Sequence, residues 1–315
     1  MTPTPIILDC DPGQDDAVAI LLALASPELE VLGITTVAGN VPLRRTALNA
    51  LKVRELANRP GVPVVAGADR PLDGALVTAE EVHGETGLDG ADLPEPVLPL
   101  DPRHAADFIV DQVMARPRGA VTLVPVGPLT NVALALRREA RLAAHLGGIV
   151  LMGGAIGLGN TTPAAEFNIY VDPEAAEIVF ASGANLTMLG LDVTHQAVST
   201  AARRQAIAAL GTRVGRTVAA WLEFYDRHDS LRYAMDGGPL HDPCAVAYVL
   251  WPELFRGKRC HVAIETEGKL TRGRTVVDWW PNLAKPSGNA PNCRVIERID
   301  ADEFFRRLTE RLGRL

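Results

Sequence analysis

The sequence predicts an α/β fold: a single domain over residues 1–315 in which a mostly parallel, doubly wound sheet is flanked by helices and followed by a late β-hairpin. Three observations carry that prediction. Short apolar runs recur at 6–8, 31–37, 62–65, 121–126, 149–152 and 186–191 without clear alternation of apolar and polar positions, the pattern of strands buried on both faces. Segments with helical spacing lie between several of them, at 17–25, 43–57, 105–114, 129–138 and 173–181, and such alternation builds parallel sheets. No Pro/Gly/Ser-rich linker or internal repeat divides the chain, so one domain with long functional loops is expected.

Polar residues gather just after these strands, where a doubly wound sheet places its ligands. Asp9 and Asp11 follow the first run, Asn40 the second, Gly127-Pro128-Leu129-Thr130-Asn131 the fourth, Gly153-Gly154 the fifth and Asp192 the sixth. Further on, residues 201–236 read as helical and suit a flap, while 260–266 and 275–279 read as the two arms of the hairpin.

Hydrophobic residues make up 47% and charged residues 22%, which supplies a large core and excludes a disordered chain. A net charge of −7 argues against nucleic acid as a partner, since such proteins carry a basic field. Arg203-Arg204 and Arg306-Arg307 are then solvated helix faces. Cys10, Cys244, Cys260 and Cys293 form no C-x-x-C pair, so reduced thiols are expected rather than a zinc or redox motif. No apolar run approaches the length of a membrane span, and the amino terminus lacks a signal-peptide pattern, which places the protein in the cytoplasm with no membrane partner.

The densest chemistry lies in Asp9-Cys10-Asp11-Pro12-Gly13-Gln14-Asp15-Asp16, where four carboxylates crowd a strand-to-helix junction. Like charges at a few ångströms raise one another's pKa, and a divalent metal keeps them ionised. Oxygen ligands select a hard ion, Ca²⁺ or Mg²⁺. The simpler reading is a turn and helix cap with acids complementing the helix dipole. Polar groups are dense in three other places. Asn160-Thr161-Thr162-Pro163-Ala164-Ala165-Glu166-Phe167-Asn168 follows a glycine-rich loop, and His83-Gly84-Glu85-Thr86-Gly87-Leu88 is punctuated by glycine. Pro239-Leu240-His241-Asp242-Pro243 precedes an apolar helix that Asp242 can cap.

Together these segments resemble the nucleoside hydrolase family, the inosine–uridine-preferring ribohydrolases and their pyrimidine-preferring relatives. The resemblance runs in order through D-x-D-P-G-x-D-D-A, Val37-Ala38-Gly39-Asn40, His83-Gly84, Gly127 to Asn131, Met152-Gly153-Gly154, Glu166-Phe167-Asn168, His241-Asp242-Pro243 and residues 271–278, covering nearly the whole chain. It implies hydrolysis of the N-glycosidic bond of a small-molecule ribonucleoside. The ion it implies is Ca²⁺, held by Asp11, Asp16, the Val126 carbonyl and Asp242, with a water and two ribose hydroxyls completing the shell. Asp15 matches the general base, and Asn40, Asn160, Glu166 and Asn168 match residues that bind ribose. Met152 is grouped with the substrate-binding residues, and Asp9 is expected to orient its neighbours. A homodimer or homotetramer is implied as well.

Cleavage builds positive charge on the sugar and negative charge on the departing base. His241 is the candidate acid for the base, on the expectation that its imidazole titrates near neutral pH. Its presence points away from the family's purine-specific branch, which lacks it. His83 resembles a loop histidine near the base, and Tyr233 a tyrosine of the pyrimidine-preferring members. Asp229 departs from the amide some of those carry, which leaves inosine–uridine against cytidine–uridine preference open. Two alternatives share part of the pattern. A haloacid dehalogenase-type phosphatase also begins with D-x-D, but Gly13 stands where that class needs Thr or Val. A non-catalytic ribose- and Ca²⁺-binding protein would need neither Asp15 nor His241.

Overall fold

Apolar runs with no polar face must be covered on both sides, and the computed structural model shows how that is done. It describes residues 2–233, 235–280 and 288–315, with the side chains of 228–233 outside the description. The runs form β1 (Thr4–Cys10), β2 (Leu29–Thr36), β3 (Val64–Ala66), β4 (Thr122–Pro125), β5 (Gly148–Met152) and β6 (Leu186–Leu189). Alternate residues of β1 feed two separate cores. Ile6, Leu8 and Cys10 pack with helix α1 (Gln14–Leu24) and the Pro243–Leu250 helix, while Ile7 packs with the Ala105–Met114, Thr130–Arg138 and Pro173–Ala181 helices.

The eight-stranded sheet has the order β3-β2-β1-β4-β5-β6-β10-β7, with β7 (Phe255–Cys260) and β10 (Cys293–Ile299) completing one edge. Neighbours are parallel except β7, which runs antiparallel to β10. These two strands were not anticipated from the sequence. Exposed and half-buried Arg and Lys positions lie between the buried ends of β7, so no continuous apolar run marks it. The predicted hairpin is present as β8 (Val262–Ile264) against β9 (Thr275–Val277), outside the main sheet. Its Thr275 hydroxyl bonds Ala155 N and O at 2.9 and 2.6 Å, pinning the glycine-rich loop after β5. The predicted helical stretch forms Ala201–Ala208 and Arg213–Tyr233. Among the described residues no helix is long and apolar enough to cross a membrane.

The chain leaves β1 outward to β2 and β3, then returns to lay β4 on the other side of β1. The crevice beyond the carboxyl ends of β1 and β4 is therefore the topological switch point, where such sheets bind ligands. Asn131, fully buried, braces it. Its Oδ1 accepts from Ala68 N at 2.9 Å, and its Nδ2 donates to Asp9 Oδ1 at 2.8 Å and Thr36 O at 3.0 Å. Asn131→Ala should cost about 2–3 kcal/mol, because buried donors and acceptors on three segments lose their partner. Urea unfolding reads this as a lower midpoint, and an unchanged midpoint would refute the bracing role.

Candidate active site at the β1–β4 switch point

β1 ends in Asp9-Cys10 with Asp11 just beyond it, and strand alternation turns Cys10 away from the side of the two acids. Cys10 enters the core. Asp9 Oδ1 accepts from Thr35 Oγ1 at 2.5 Å as well as from Asn131, and burial pushes this carboxyl up to about 7 against those hydrogen bonds. Asp9 does not line the cleft, in keeping with an orienting role. Asp11 Oδ2 accepts from Asn40 N at 2.7 Å, while its buried Oδ1 has no hydrogen-bond partner. Glycine on both sides makes room for it: a Cβ on Gly39 or Gly127 would fall 2.1 or 2.4 Å from an Asp11 carboxylate oxygen.

The first turn of α1 supplies the next acids. Asp16 Oδ1 accepts from Asp11 N at 3.1 Å, and Oδ2 from Gly13 N and Asn40 Nδ2, both at 3.0 Å. Its carboxyl also lies within hydrogen-bonding reach of those of Asp11 and Asp242. Carboxylates that close require a shared proton or a cation between them. Burial raises Asp16 to about 6. Burial also lifts Asp11 and Asp242 well above the usual range; the Asp16 charge adds to this at Asp11, and the Asp15, Asp16 and Asp11 charges add to it at Asp242. Asp242 sits at the cap position of the Pro243–Leu250 helix, yet its side chain makes no capping bond. The simple capping explanation therefore fails for it. Ligand oxygens of Asp15, Asp16 and Asp242 converge within 4.8 Å of one another.

This convergence includes Asp15, which the sequence set apart as a base, and omits Asp11, which it counted as a ligand. The orphaned Asp11 Oδ1 and the Asp16 contacts nevertheless keep Asp11 beside the cluster. Val126 follows β4 with its N–H donating to Asp9 O at 2.7 Å, and its carbonyl accepts from Asn168 Nδ2 at 2.8 Å, leaving one lone pair. A crowded, oxygen-rich, dry cluster with an unsatisfied carboxylate oxygen fits a hard divalent cation.

These groups open onto a cleft of about 830 Å³, its solvent-open mouth included. Asp15, Asn40, His83, Val126, Met152, Asn160, Glu166, Asn168, His241 and Asp242 all line it, so it gathers residues the sequence had singled out from seven segments. Glu166 caps the Phe167–Val171 helix, accepting from Asn168, Ile169 and Gly154 N–H groups at 2.8–3.2 Å. Burial still raises it to about 7. Here the capping explanation holds, and the capped carboxylate also faces the cleft. Asn168 Nδ2 reaches Met152 O at 3.2 Å, and Asn160 Oδ1 accepts from Phe167 N at 2.9 Å.

His241, which also lines the cleft, has its Nδ1 2.7 Å from Thr194 Oγ1. Burial, then the nearby His195 and His83, push its imidazole well below the ordinary histidine range, which corrects the expectation of titration near neutrality. Tyr225 also lines the cleft, its ring 5.5 Å from that of His83. The sequence had favoured Tyr233, whose side chain, like that of Asp229, lies outside the described residues. Thr194 and Gln14, which hold the two histidines, were not singled out either. Their signal is spatial, the bonded residues being 47 and 69 positions apart in the chain.

A family model for inosine-uridine preferring nucleoside hydrolases matches residues 6–306. The chain belongs to this family. It is an N-glycosyl hydrolase acting on ribonucleosides. It is 48% identical to a pyrimidine-specific ribonucleoside hydrolase of Salmonella agona, over 98% of both chains. Among solved structures it is similar to a purine-preferring ribonucleoside hydrolase from Gardnerella vaginalis, with a TM-score of 0.91 and 34% identity over 98% of each chain. A plant nucleoside hydrolase gives a TM-score of 0.90 and 34% identity over 99% of each. The phosphatase and pure binding-protein alternatives are thereby set aside.

Saturating the acidic cluster with a hard divalent cation should raise the unfolding temperature, since a ligand at a hundred times its Kd adds about 2.7 kcal/mol to stability. Thermal unfolding with and without chelator measures the shift. Asp242→Asn should abolish it, and a shift that survives this change would move the ion elsewhere.

Proposed function

We propose that this enzyme is a Ca²⁺-dependent ribonucleoside hydrolase of uridine, cytidine or inosine, releasing free base and ribose. The observation that carries the reading is the convergence of buried acids in a cleft that two histidines also line. Asp11, Asp16, Asp242 and the Val126 carbonyl would hold the ion. A bound Ca²⁺ would supply Lewis acidity toward the ribose cis-diol and the attacking water. Asn40, Asn160, Glu166 and Asn168 bind and orient the ribose, with Met152 beside them in the cleft. Asp15 takes the proton of the attacking water as the bond from the sugar carbon to the base nitrogen breaks, the bonding pair leaving with the base. His241, kept neutral by burial, accepts at Nδ1 from the Thr194 hydroxyl and donates a hydrogen bond from Nε2 that stabilises the negative charge of the departing base, which takes its proton from solvent as it is released. His83 borders that base, and the resemblance to the pyrimidine-preferring members assigns Tyr233 to its recognition as well. The setting proposed is one catalytic domain in a cytoplasmic homodimer or homotetramer, in keeping with four buried free cysteines.

A reducing-sugar assay on uridine, cytidine, inosine and guanosine tests the activity, and silence on all four would reject it. Asp15→Asn should lower kcat by about 10²–10⁴-fold, the scale of a general base. Because Asp15 also converges with Asp16 and Asp242, two of the proposed ligands, Asp11→Asn is measured alongside. If only the Asp11 variant lost turnover while keeping its Ca²⁺, the base role would pass to Asp11.

Deoxyuridine lacks one of the two hydroxyls of the diol, so its kcat/KM should fall ~100-fold or more below that of uridine. Equal values would rule out recognition of the diol.

His241→Ala should slow uridine far more than p-nitrophenyl riboside, whose leaving group needs little protonation. Equal losses would reduce His241 to a structural neighbour of Asp242.

A further inference from the structure

Between the turn that carries Asp11 and the helical acids stands Gln14, fully buried and without a role in the chemistry described above. Its amide nitrogen donates to two main-chain carbonyls of the loop that runs over the cleft, His83 O at 2.9 Å and Asp89 O at 3.0 Å. A carbonyl can only accept, so both amide hydrogens are committed and the orientation of the group is fixed by chemistry. That orientation turns Oε1 toward His83 Nδ1, 2.7 Å away. An amide oxygen is likewise only an acceptor. The proton between them must therefore sit on Nδ1, a tautomer assigned by the network rather than seen.

The ring has little freedom to escape this contact. It packs on the main chain of Gly13, where a Cβ would fall 2.3 Å from Nδ1, and the Tyr225 ring lies 5.5 Å from it. Asn49 fastens the same loop to the same turn, its Nδ2 donating to Thr86 O at 2.8 Å and Pro12 O at 2.9 Å. A histidine free in water favours the proton on Nε2, so a fixed acceptor at Nδ1 reverses the intrinsic preference.

We propose that Gln14 is a positioning residue that fixes the neutral form of His83 as its Nδ1–H tautomer, so that in that form Nε2 enters the cleft as a hydrogen-bond acceptor and favours leaving bases whose edge carries an N–H. The recognition half of this statement rests on the proposed placement of the base beside His83. The tautomer half rests on hydrogen-bond geometry alone. Donation to Nε2 runs from the base directly or through a hydroxyl between them, and in either case the ring reads a donor. A leaving group with no N–H, such as p-nitrophenol, is blind to it.

Long-range ¹H–¹⁵N correlation spectra of the full chain labelled with ¹⁵N-histidine test the tautomer, with the His83 signal assigned by its loss in His83→Gln. The wild-type protein should show the Nδ1–H pattern, and Gln14→Leu should move His83 toward Nε2–H. Gln14→Glu, whose carboxylate also only accepts, should keep the proton on Nδ1. A wild-type Nε2–H pattern overturns the proposal without recourse to any variant, so a Gln14→Leu protein that fails to fold leaves it falsifiable. An Nδ1–H signal unchanged in Gln14→Leu, or lost in Gln14→Glu, also overturns it. In turnover, Gln14→Leu should reduce kcat/KM for uridine by about 10-fold, the scale of one hydrogen bond, and leave p-nitrophenyl riboside unchanged. Equal losses on both would mean that Gln14 merely supports the neighbouring acids, and would overturn the recognition role. Should the wild-type enzyme cleave no nucleoside, the functional reading fails while the spectra still decide the tautomer.

Discussion

The arrangement of this enzyme turns on the burial of four carboxylates with too little positive charge to meet them. Asp11, Asp15, Asp16 and Asp242 are each at most 4% exposed, and neither Lys nor Arg is among the described residues lining their cleft. Two such charges at the 4.8 Å limit of the Asp15, Asp16 and Asp242 cluster repel by about 3 kcal/mol at an effective dielectric near 20. The fold resists this with fixed dipoles. Asp16 receives two backbone N–H groups and an amide, and Asp11 receives the Asn40 N–H. The amino-terminal end of α1 adds its partial positive charge. What dipoles leave undone falls to protons or a cation, and the unsatisfied Asp11 Oδ1 shows where the deficit lies.

That demand explains features that look incidental one at a time. Gly39 and Gly127 permit two loops to close on one carboxylate, because any Cβ there would occupy the space of the Asp11 oxygens. Asn131 and Asn168 spend their amides on main-chain carbonyls from segments far apart in sequence. A site that must bind a sugar with several hydroxyls gains from polar groups already committed in direction, since little remains to be reorganised when charge develops. Glu166 illustrates the economy: three N–H groups fix the carboxylate, and the fixed carboxylate borders the cleft.

Much of this was legible in the sequence, and the exceptions have physical causes. Strands β1 to β6 were visible because both their faces are buried, which leaves an unbroken apolar run. β7 and β10 were not, since their Arg, Lys and Glu positions interrupt the run and their place at the sheet edge depends on tertiary pairing. The acids and amides of the cleft were visible because strand ends in a doubly wound sheet converge on one crevice. Asp242 could not be told from a helix cap by sequence, and only the missing capping bond separates the two. His241 lines the cleft, but its titration was not legible, because burial is a property of the packed site and not of the residue. Tyr225, Thr194 and Gln14 escaped notice because each acts through a contact closed only by folding.

The first turn of α1 gathers these threads. Consecutive residues on a helix diverge by about 100°, so Gln14, Asp15 and Asp16 leave one turn toward three different neighbours. Gln14 reaches the loop that carries His83, Asp15 lines the cleft, and Asp16 meets Asp11 and Asn40. The loop that carries His83 and the acidic cluster are thus referred to the same few backbone atoms. A substitution that tilts this turn displaces both at once, whereas one that removes a single side chain disturbs only one. The distinction gives the α1 turn a place in the chemistry that its short sequence motif, read as metal ligands alone, does not reveal. All eleven residues of α1 are buried, so the turn is held from behind by the core, and the precision of the site is inherited from the packing of that helix against the sheet.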